Sequence, residues 1–257
     1  MGAWEPSSRR AVGLASGASG LDRASTVREG GGVQVAMALS PGVSADECEA
    51  FAAVFEHLDG ADLVGVGAHL GTVGGPGGGH RVEALFEDVQ HPDVVLVPGG
   101  LGCARAAADP VLLGWIRAVA PRSDWLVASS TGTVIVAAAG LLGQQPAATH
   151  WLAGDLLVAH GSSASSERIV EIDNIITCEG WITAMHVALL VTLRLAGPDG
   201  VAQVRERLAA ASAPPRATSR WTQWRDRNRP TGPNRPRNRQ LEAPEIIAFD
   251  PLTTRRA

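Results

Sequence analysis

Apolar residues occur along the chain in short blocks, some with the spacing of strands and others with the spacing of helices. Strands are predicted at VQVAMAL, which begins at Val33, at ADLVGVGA, and at the continuous apolar run over 91–100. Uninterrupted runs of this kind are typical of central parallel strands that are covered on both faces. A helix is predicted near 110–119. The alternation of strands and helices therefore predicts an α/β, doubly wound sandwich with a mostly parallel central sheet.

The segment WLVASSTGTVIVAAAGLL predicts a strand over 125–129 that leads directly into a helix over 131–142. Enzymes place a nucleophile at such a junction, because the sharp turn lifts one side chain clear of the backbone. Ser129 and Ser130 lie at this turn. Since the carboxyl ends of parallel strands meet at one edge of the sheet, we expect the serines to lie beside the loop that contains Gly99 and Gly100.

The first predicted helix, over 44–58, has its apolar residues on one face and a group of carboxylates at its start. Ser44 and Glu47 have the spacing of a capping box. Helix N-termini and preorganised backbone N–H groups stabilise negative charge. The carboxylates, the glycine loop and the serine turn are therefore expected to form one anion-stabilising cleft.

Two further patterns complete the predicted domain. RIVEIDNIITCEG predicts a hairpin that turns at Asp173 and Asn174, and WITAMHVALLVTLRLAG predicts an apolar helix of about four turns. The glycine cluster over 74–79 lacks the spacing of a phosphate-binding loop, so a flexible hairpin tip is expected there.

The composition changes at both ends of the chain and predicts three parts. Residues 1–32 are rich in Gly, Ser and Arg and are predicted to be a disordered extension, residues 33–213 form the α/β domain, and residues 214–257 are a mostly disordered Arg/Pro-rich tail. The tail contains ten arginines and four acidic residues, whereas the whole chain has a net charge of −4. An acidic body argues against nucleic acid as a partner, although arginine with Trp221 and Trp224 in the tail would suit contacts to phosphates or bases.

The residue types exclude several chemistries. The chain has no lysine and no tyrosine, which excludes a Schiff-base lysine, a phosphate-loop lysine and a tyrosine acid. Its three cysteines are far apart, which argues against a disulfide framework and favours a reducing cytoplasm. We find neither metal-ligand spacing nor the ~18 uninterrupted apolar residues of a membrane span. A cytoplasmic protein without metal, cofactor or membrane contact is therefore expected.

Several motifs together resemble the ThiJ/PfpI superfamily, which has the class I glutamine-amidotransferase-like, flavodoxin-like three-layer fold. The isonitrile hydratase branch is the most similar. The motifs are PGVSADE with AVFEHL, VLVPGG, SSTGTVIVAAAGLL, ATHW, DLLVAHG and ERIVEIDNIITCEG, over about 33–208. The resemblance implies a homodimer and a lyase or hydratase that acts on a small-molecule substrate, with hydrolase and amidase activities ranking behind it.

The resemblance also implies a set of site residues. Members of the family place a cysteine at the turn, facing an acidic residue from the first helix. The cysteine position falls on Ser130 and the threonine after it on Thr131, while the acidic residue falls on Glu47 and the histidine of the Thr-His-Trp motif on His150. These four are the candidate catalytic residues. The candidates for substrate and oxyanion binding are Gly99, Gly100, Leu101 and Gly132.

Serine in place of cysteine leaves three hypotheses for Ser130. A thiol of pKa ~8.5 becomes an anion beside a helix terminus, whereas an alcohol needs a general base within hydrogen-bond reach. Ser130 is a nucleophile if Glu47 or His150 acts as that base. It positions substrate if Glu47 alone carries the acid–base chemistry. It is a vestige if the protein is a non-catalytic ligand-binding or regulatory homologue.

The other candidate side chains have structural alternatives. Glu47 caps its helix in one alternative, and His150 is a hydrogen-bonded structural residue in another. His186 lies on an apolar helix face and is expected in the core or an interface. Cys103, which follows the glycine loop, is expected to be a small buried residue, with a displaced reactive thiol as the functional alternative.

Overall fold

The structure is a computed structural model that describes residues 32–75 and 78–212 of the chain. The predicted tail over 214–257 lies outside the described residues, and so does the predicted extension over 1–32 apart from Gly32. Residues 76 and 77, in the glycine cluster, are also outside them.

Eleven strands and six helices lie in this part of the chain, and their order matches the predicted alternation. The strands are β1 (Val33–Ala38), β2 (Ala61–Gly67), β3 (Gly71–Gly75), β4 (Gly78–Val82), β5 (Ala84–Leu85), β6 (Val94–Val97), β7 (Trp125–Ser129), β8 (Pro146–Ala147), β9 (Ser163–Ala164), β10 (Ile169–Ile172) and β11 (Ile175–Cys178). The helices are α1 (Ala45–Phe55), α2 (Cys103–Ala106), α3 (Pro110–Val119), α4 (Gly132–Ala138), α5 (Gly154–Ala159) and α6 (Trp181–Ser212).

The central sheet has seven strands in the order β10-β11-β7-β6-β1-β2-β5, and all neighbours except β10 and β11 are parallel. The predicted α/β sandwich with a mostly parallel sheet is therefore confirmed. The predicted hairpin at Asp173 is also present, and Asp173 has the positive φ of 54° that a tight turn requires. Of the glycine cluster, Gly74 and Gly75 pair with Gly79 and Gly78 in the antiparallel strands β3 and β4.

The two faces of the sheet carry two separate apolar cores. Helices α1 and α6 cover one face, whose strand residues include Met37, Leu96, Val127 and Ile176. Helices α2 to α5 cover the other face. Because strand side chains alternate, the face to which a strand residue points is decided by its position in the strand. Ser129, two residues after Val127, therefore points to the face that α1 covers.

Two predicted details are wrong. The helix after the serine turn ends at Ala138, not at 142, because Gly140 adopts a φ of 77° that a helix does not continue through. The capping box is absent, since Ser44 makes no side-chain cap and the Glu47 carboxyl turns into the protein.

Helix α6 is kinked at Gly197, whose φ of 69° separates the predicted four-turn segment from a second helical stretch. Its Trp181–Ala211 part is long and apolar enough to cross a membrane by length and composition alone. However, Ala184, Val187 and Val191 on its inner face are completely buried against α1 and the sheet. This packing is typical of the core helix of a globular domain.

Candidate active site

The turn between β7 and α4 holds Ser130 in an uncommon backbone conformation. Its φ is 56°, in the left-handed region that only a few per cent of non-glycine residues adopt. Hydrogen bonds hold both of its peptide groups, since its N–H donates to the Cys178 carbonyl (2.8 Å) and its carbonyl accepts from Thr149 Oγ1 (2.9 Å). Such a strained residue persists only where its surroundings enforce it, and this happens most often at functional sites.

Two of the candidate glycines allow the turn to form. A Cβ on Gly132 would lie 2.1 Å from the Val97 carbonyl oxygen, so only glycine lets α4 begin this close to β6. A Cβ on Gly99 would lie 2.8 Å from the Thr131 nitrogen. The structure therefore shows that both glycines are needed for packing. The sequence analysis had named them as candidates for substrate and oxyanion binding.

Glu47 lies in the first turn of α1 and is only 5% exposed. It points inward because it shares the apolar face of the helix with Phe51 and Val54, at the spacing i, i+4 and i+7. The Ser129 hydroxyl donates a hydrogen bond to Glu47 Oε2. The acidic residue and the serine turn, which are 82 residues apart in sequence, are thus in direct contact.

Burial raises the pKa of the Glu47 carboxyl above its usual range, because the ion loses its hydration. Hydrogen bonds from Ser129 and Ser130 oppose this shift, and the negative charge of Asp46 adds to it. Burial also raises the pKa of the Cys178 thiol on the neighbouring strand to about 12. The site therefore contains a carboxyl that retains its proton to a higher pH than an ordinary glutamate does.

The glycine loop is tied to the turn in a way that changes the oxyanion prediction. The Gly100 N–H donates to Thr131 Oγ1 (2.8 Å), and the same hydroxyl donates to the Gly100 carbonyl (3.0 Å). The Gly100 N–H is consequently not a free donor, and its predicted role in binding an oxyanion is corrected. Within 32–75 and 78–212, no hydrogen-bond acceptor contacts the N–H of Leu101 or of Thr131, and these two groups are the candidates that replace it.

His150 lies at the start of a short 3₁₀ helix and does not reach the serines. Its Nδ1 accepts a hydrogen bond from the Leu152 N–H (3.2 Å), and its ring stacks on Trp151. Because the Leu152 N–H occupies Nδ1 and His150 has no hydrogen bond to either serine among the described residues, the structure does not place a histidine base beside Ser130.

A cavity of about 400 Å³ lies next to Thr149, whose hydroxyl donates to the Ser130 carbonyl, and neither Ser130 nor Glu47 is among its lining residues. It extends from Thr149 and His150 to the residues that follow β11. Trp151 and Trp181 line it, as do Arg168 and Glu179, which form an ion pair. Its volume suits a small organic ligand.

The structure also shows how far Cys103 and His186 are buried. Cys103 is half-buried at the start of α2, so it is not the fully buried residue that was expected. His186 is exposed on the outer face of α6 and not part of the core. Within the described ranges, no group of three or more His, Cys, Asp or Glu residues could hold a metal ion.

Ser129, which contacts Glu47, was not among the predicted site residues, because it precedes the apex of the turn. Alternation in β7 was the available signal: Trp125, Val127 and Ser129 point to the face under α1. A second signal was the carboxylate of Glu47 on the apolar face of its helix. Together the two patterns place a buried acid opposite a buried hydroxyl.

Comparisons with known proteins agree with this geometry. The profile of the DJ-1/PfpI family matches residues 33–192. Isonitrile hydratase of Pseudomonas putida is 34% identical over 159 residues, which are 62% of this chain and 67% of that protein. The glutathione-independent glyoxalase DJR-1.2 of Caenorhabditis elegans is 25% identical over 119 residues, which are 46% of this chain and 63% of that protein. Both names denote enzymes that act on small molecules.

A solved structure gives the same result for the fold. A ThiJ/PfpI family protein from Pseudomonas syringae superposes with a TM-score of 0.65 at 26% identity, over 74% of this chain and 80% of that one. The predicted resemblance is therefore confirmed. Because the family profile covers more than half of the sequence and the sheet order, turn and acidic residue fit it, the chain belongs to the DJ-1/PfpI family.

Proposed function

We propose that the protein is a hydro-lyase of the isonitrile hydratase type, which adds water to a small electrophilic substrate in the cleft beside Ser130. The observation that carries this proposal is the buried Glu47 carboxyl at the serine turn, in contact with Ser129 and with its pKa raised by burial. A buried carboxyl whose pKa is raised can serve as a general acid, which this chemistry needs. The named relative from Pseudomonas putida gives further support.

Hydration of an isonitrile, R–N≡C, places one proton and one water oxygen on the terminal carbon. The neutral Glu47 carboxyl donates its proton to that carbon, which forms the C–H bond and leaves a nitrilium ion. Water attacks the same carbon and returns a proton to the Glu47 carboxylate. The product R–N=CH–OH then tautomerises to the N-substituted formamide, so one water is consumed and Glu47 is regenerated.

In this mechanism Ser130 positions water or substrate and forms no covalent intermediate. Its hydroxyl faces the Glu47 carboxyl, but the structure brings no histidine base to it. The N–H groups of Leu101 and Thr131 supply donors that orient the oxygen of the attacking water beside the terminal carbon. The substituent R occupies the cavity between Trp151 and Trp181.

The acid–base role is tested with Glu47→Gln, using benzyl isocyanide as the probe and mass spectrometry of N-benzylformamide as the readout. Glutamine keeps the shape but cannot shuttle a proton, so we expect turnover to fall at least about 100-fold. Glu49→Gln, an exposed carboxylate on the same helix, is the matched control and should retain the wild-type rate. A wild-type protein that forms no formamide, or a Glu47→Gln variant with full activity, would contradict the proposal.

A non-catalytic, ligand-binding or regulatory homologue is the second candidate. Serine in place of a cysteine thiol at position 130 favours it. The variant Ser130→Cys distinguishes the two candidates. Its activity and that of the native protein are measured with benzyl isocyanide and with methylglyoxal, a 2-oxoaldehyde. Activity in the native protein supports the hydro-lyase. Activity that is gained only with cysteine supports a homologue that has lost its reaction.

We also propose that the protein acts in the cytoplasm as a homodimer. Its two buried thiols, Cys48 and Cys178, are free, which suits a reducing compartment. The outer face of α6 presents Ile182, His186 and Leu193 to solvent at helical spacing, as a surface that buries a second copy would. Light scattering of the purified protein measures the mass, and a monomeric mass contradicts this part of the proposal.

A further inference from the structure

We propose that Ser129 is a positioning residue, which holds one oxygen of the Glu47 carboxyl so that the other oxygen faces Ser130 and the substrate. The proposal rests on the proposed function only for its effect on turnover. The contact itself is a property of the folded protein that can be tested without any substrate.

The geometry separates the two serines by role. Ser129 is completely buried at the end of β7, and its hydroxyl donates to Glu47 Oε2. Its hydroxyl is thus engaged by the carboxyl on the buried face of the sheet. Ser130 occupies the positive-φ position one residue later and is the serine that the turn presents.

The hydrogen bond also limits how the carboxyl can rotate. A carboxylate has two equivalent oxygens, and a bond to one of them selects a single orientation of the group. Because Glu47 is on a helix and Ser129 on a central strand, both partners are on rigid elements. The other oxygen, Oε1, is therefore held in one direction, which a proton transfer to a bound substrate requires.

The titratable groups around Glu47 do not obscure its ionisation. Asp46 and Cys48 are on the same helix, and Cys178 is on β11, opposite Ser129 in the strand register. Burial raises the pKa of each thiol to about 12, so both stay neutral in the range where a carboxyl titrates. The Ser129 hydroxyl, by contrast, stabilises the ionised form of Glu47 directly.

The test is a pH titration of Glu47 by NMR in protein labelled with ¹³C at the glutamate carboxyls. The Glu47 resonance is identified as the one that disappears in Glu47→Gln. In Ser129→Ala, the carboxylate loses a hydrogen bond that favours its charged form. We expect the midpoint to move upward by roughly one pH unit, which is about a tenfold change in the ionisation equilibrium.

The matched control is Ser123→Ala, which removes another buried hydroxyl, one that donates to the Val119 carbonyl (3.1 Å). It should leave the Glu47 midpoint unchanged. An unchanged midpoint in folded Ser129→Ala overturns the proposal, whether or not the protein is an active hydratase. If Ser129→Ala does not fold, Ser129→Cys serves instead, since a thiol is a weak donor and should move the midpoint in the same direction.

In an active enzyme, the rate falls at the pH where Glu47 loses its proton. In Ser129→Ala this fall should move to higher pH, together with the NMR midpoint. A shifted NMR midpoint without any hydration by the wild-type protein would contradict the proposed function and leave the positioning role supported. The two failures are thus distinguishable.

Discussion

Two regions border the turn at Ser130. The corner is the buried contact between Glu47 and Ser129, and the rim is the exposed set of residues around the cavity next to His150. They differ in burial and in contact with water. In the corner, Glu47 and Ser129 are buried and hydrogen-bonded to each other. On the rim, Trp151 is 81% exposed and the Arg168–Glu179 ion pair lies at the surface of an open cavity. The corner has the dry, rigid environment that shifts a pKa, and the rim has the apolar, adaptable surface that binds the rest of a ligand.

The comparison shows why a histidine in the right motif need not be the base. A side chain changes its proton affinity when it is desolvated and held, and Glu47 meets both conditions. His150 is half-buried, and its Nδ1 is engaged by the backbone. We therefore expect variants in the corner to change chemistry and stability, and variants on the rim to change ligand affinity.

The largest effect is expected where α4 starts against β6, beneath the corner. Gly132→Ala would place a Cβ 2.1 Å from the Val97 carbonyl oxygen, so the helix start must move and the turn with it. We expect a loss of about 3 kcal/mol or more in the free energy of unfolding, measured by urea denaturation.

Its matched control is Gly114→Ala in α3, where an added Cβ meets no atom within 4 Å. Alanine is the better helix former, and this variant should gain up to about 1 kcal/mol. Equal stabilities of the two variants would show that the tight contact at Gly132 does not constrain the turn.

A smaller, pH-dependent effect is expected at Glu47. Its folded pKa lies above its ordinary value of 4.5, so the folded state binds the proton more tightly than the unfolded state. Stability is then lost as pH rises from that value through the folded pKa. Glu47→Gln cannot ionise and avoids this loss.

The free energy of unfolding of Glu47→Gln relative to wild type should therefore increase as the pH rises from 4.5 through the raised folded pKa of Glu47. Urea denaturation at several pH values measures it, with the exposed Glu49→Gln as the control that shows no such trend. A difference that is constant with pH would mean that the buried carboxyl does not resist ionisation.

The smallest effect on stability is expected on the rim. Trp151→Ala removes a large side chain, but one that is mostly in water, and should change the free energy of unfolding by less than about 0.5 kcal/mol. By contrast, Trp115→Ala removes a buried ring whose Nε1 donates to the Val89 carbonyl (2.7 Å), and should cost about 3 kcal/mol or more. A strong destabilisation by Trp151→Ala would mean that the rim is structural.

With benzyl isocyanide as substrate, Trp151→Ala should raise KM and leave kcat nearly unchanged.

Much of the fold could be predicted from local pattern. Continuous apolar runs predicted the buried strands, and helix α3 begins and ends at the predicted residues. The hairpin at Asp173 was predicted from its turn residues and matching strands. These features depend on periodicity and turn chemistry, which short stretches of sequence contain in full.

The predictions failed where a distant residue decides the outcome. The spacing of Ser44 and Glu47 fits a helix cap, yet Glu47 bonds to Ser129 instead. Likewise, the Gly100 N–H was predicted to be a free donor, and only the packed loop reveals that Thr131 occupies it. No local pattern contains these partners, because each is tens of residues away.

The sequence by itself therefore determined the family, the order of strands and helices, and the position of Ser130 at a strand–helix junction. The tertiary structure decided which side chains meet there. Burial and hydrogen bonding arise only when α1 packs on the sheet, and these two effects set the proton affinity of Glu47. They also give Ser129 its place as the partner of Glu47 and leave His150 on the rim.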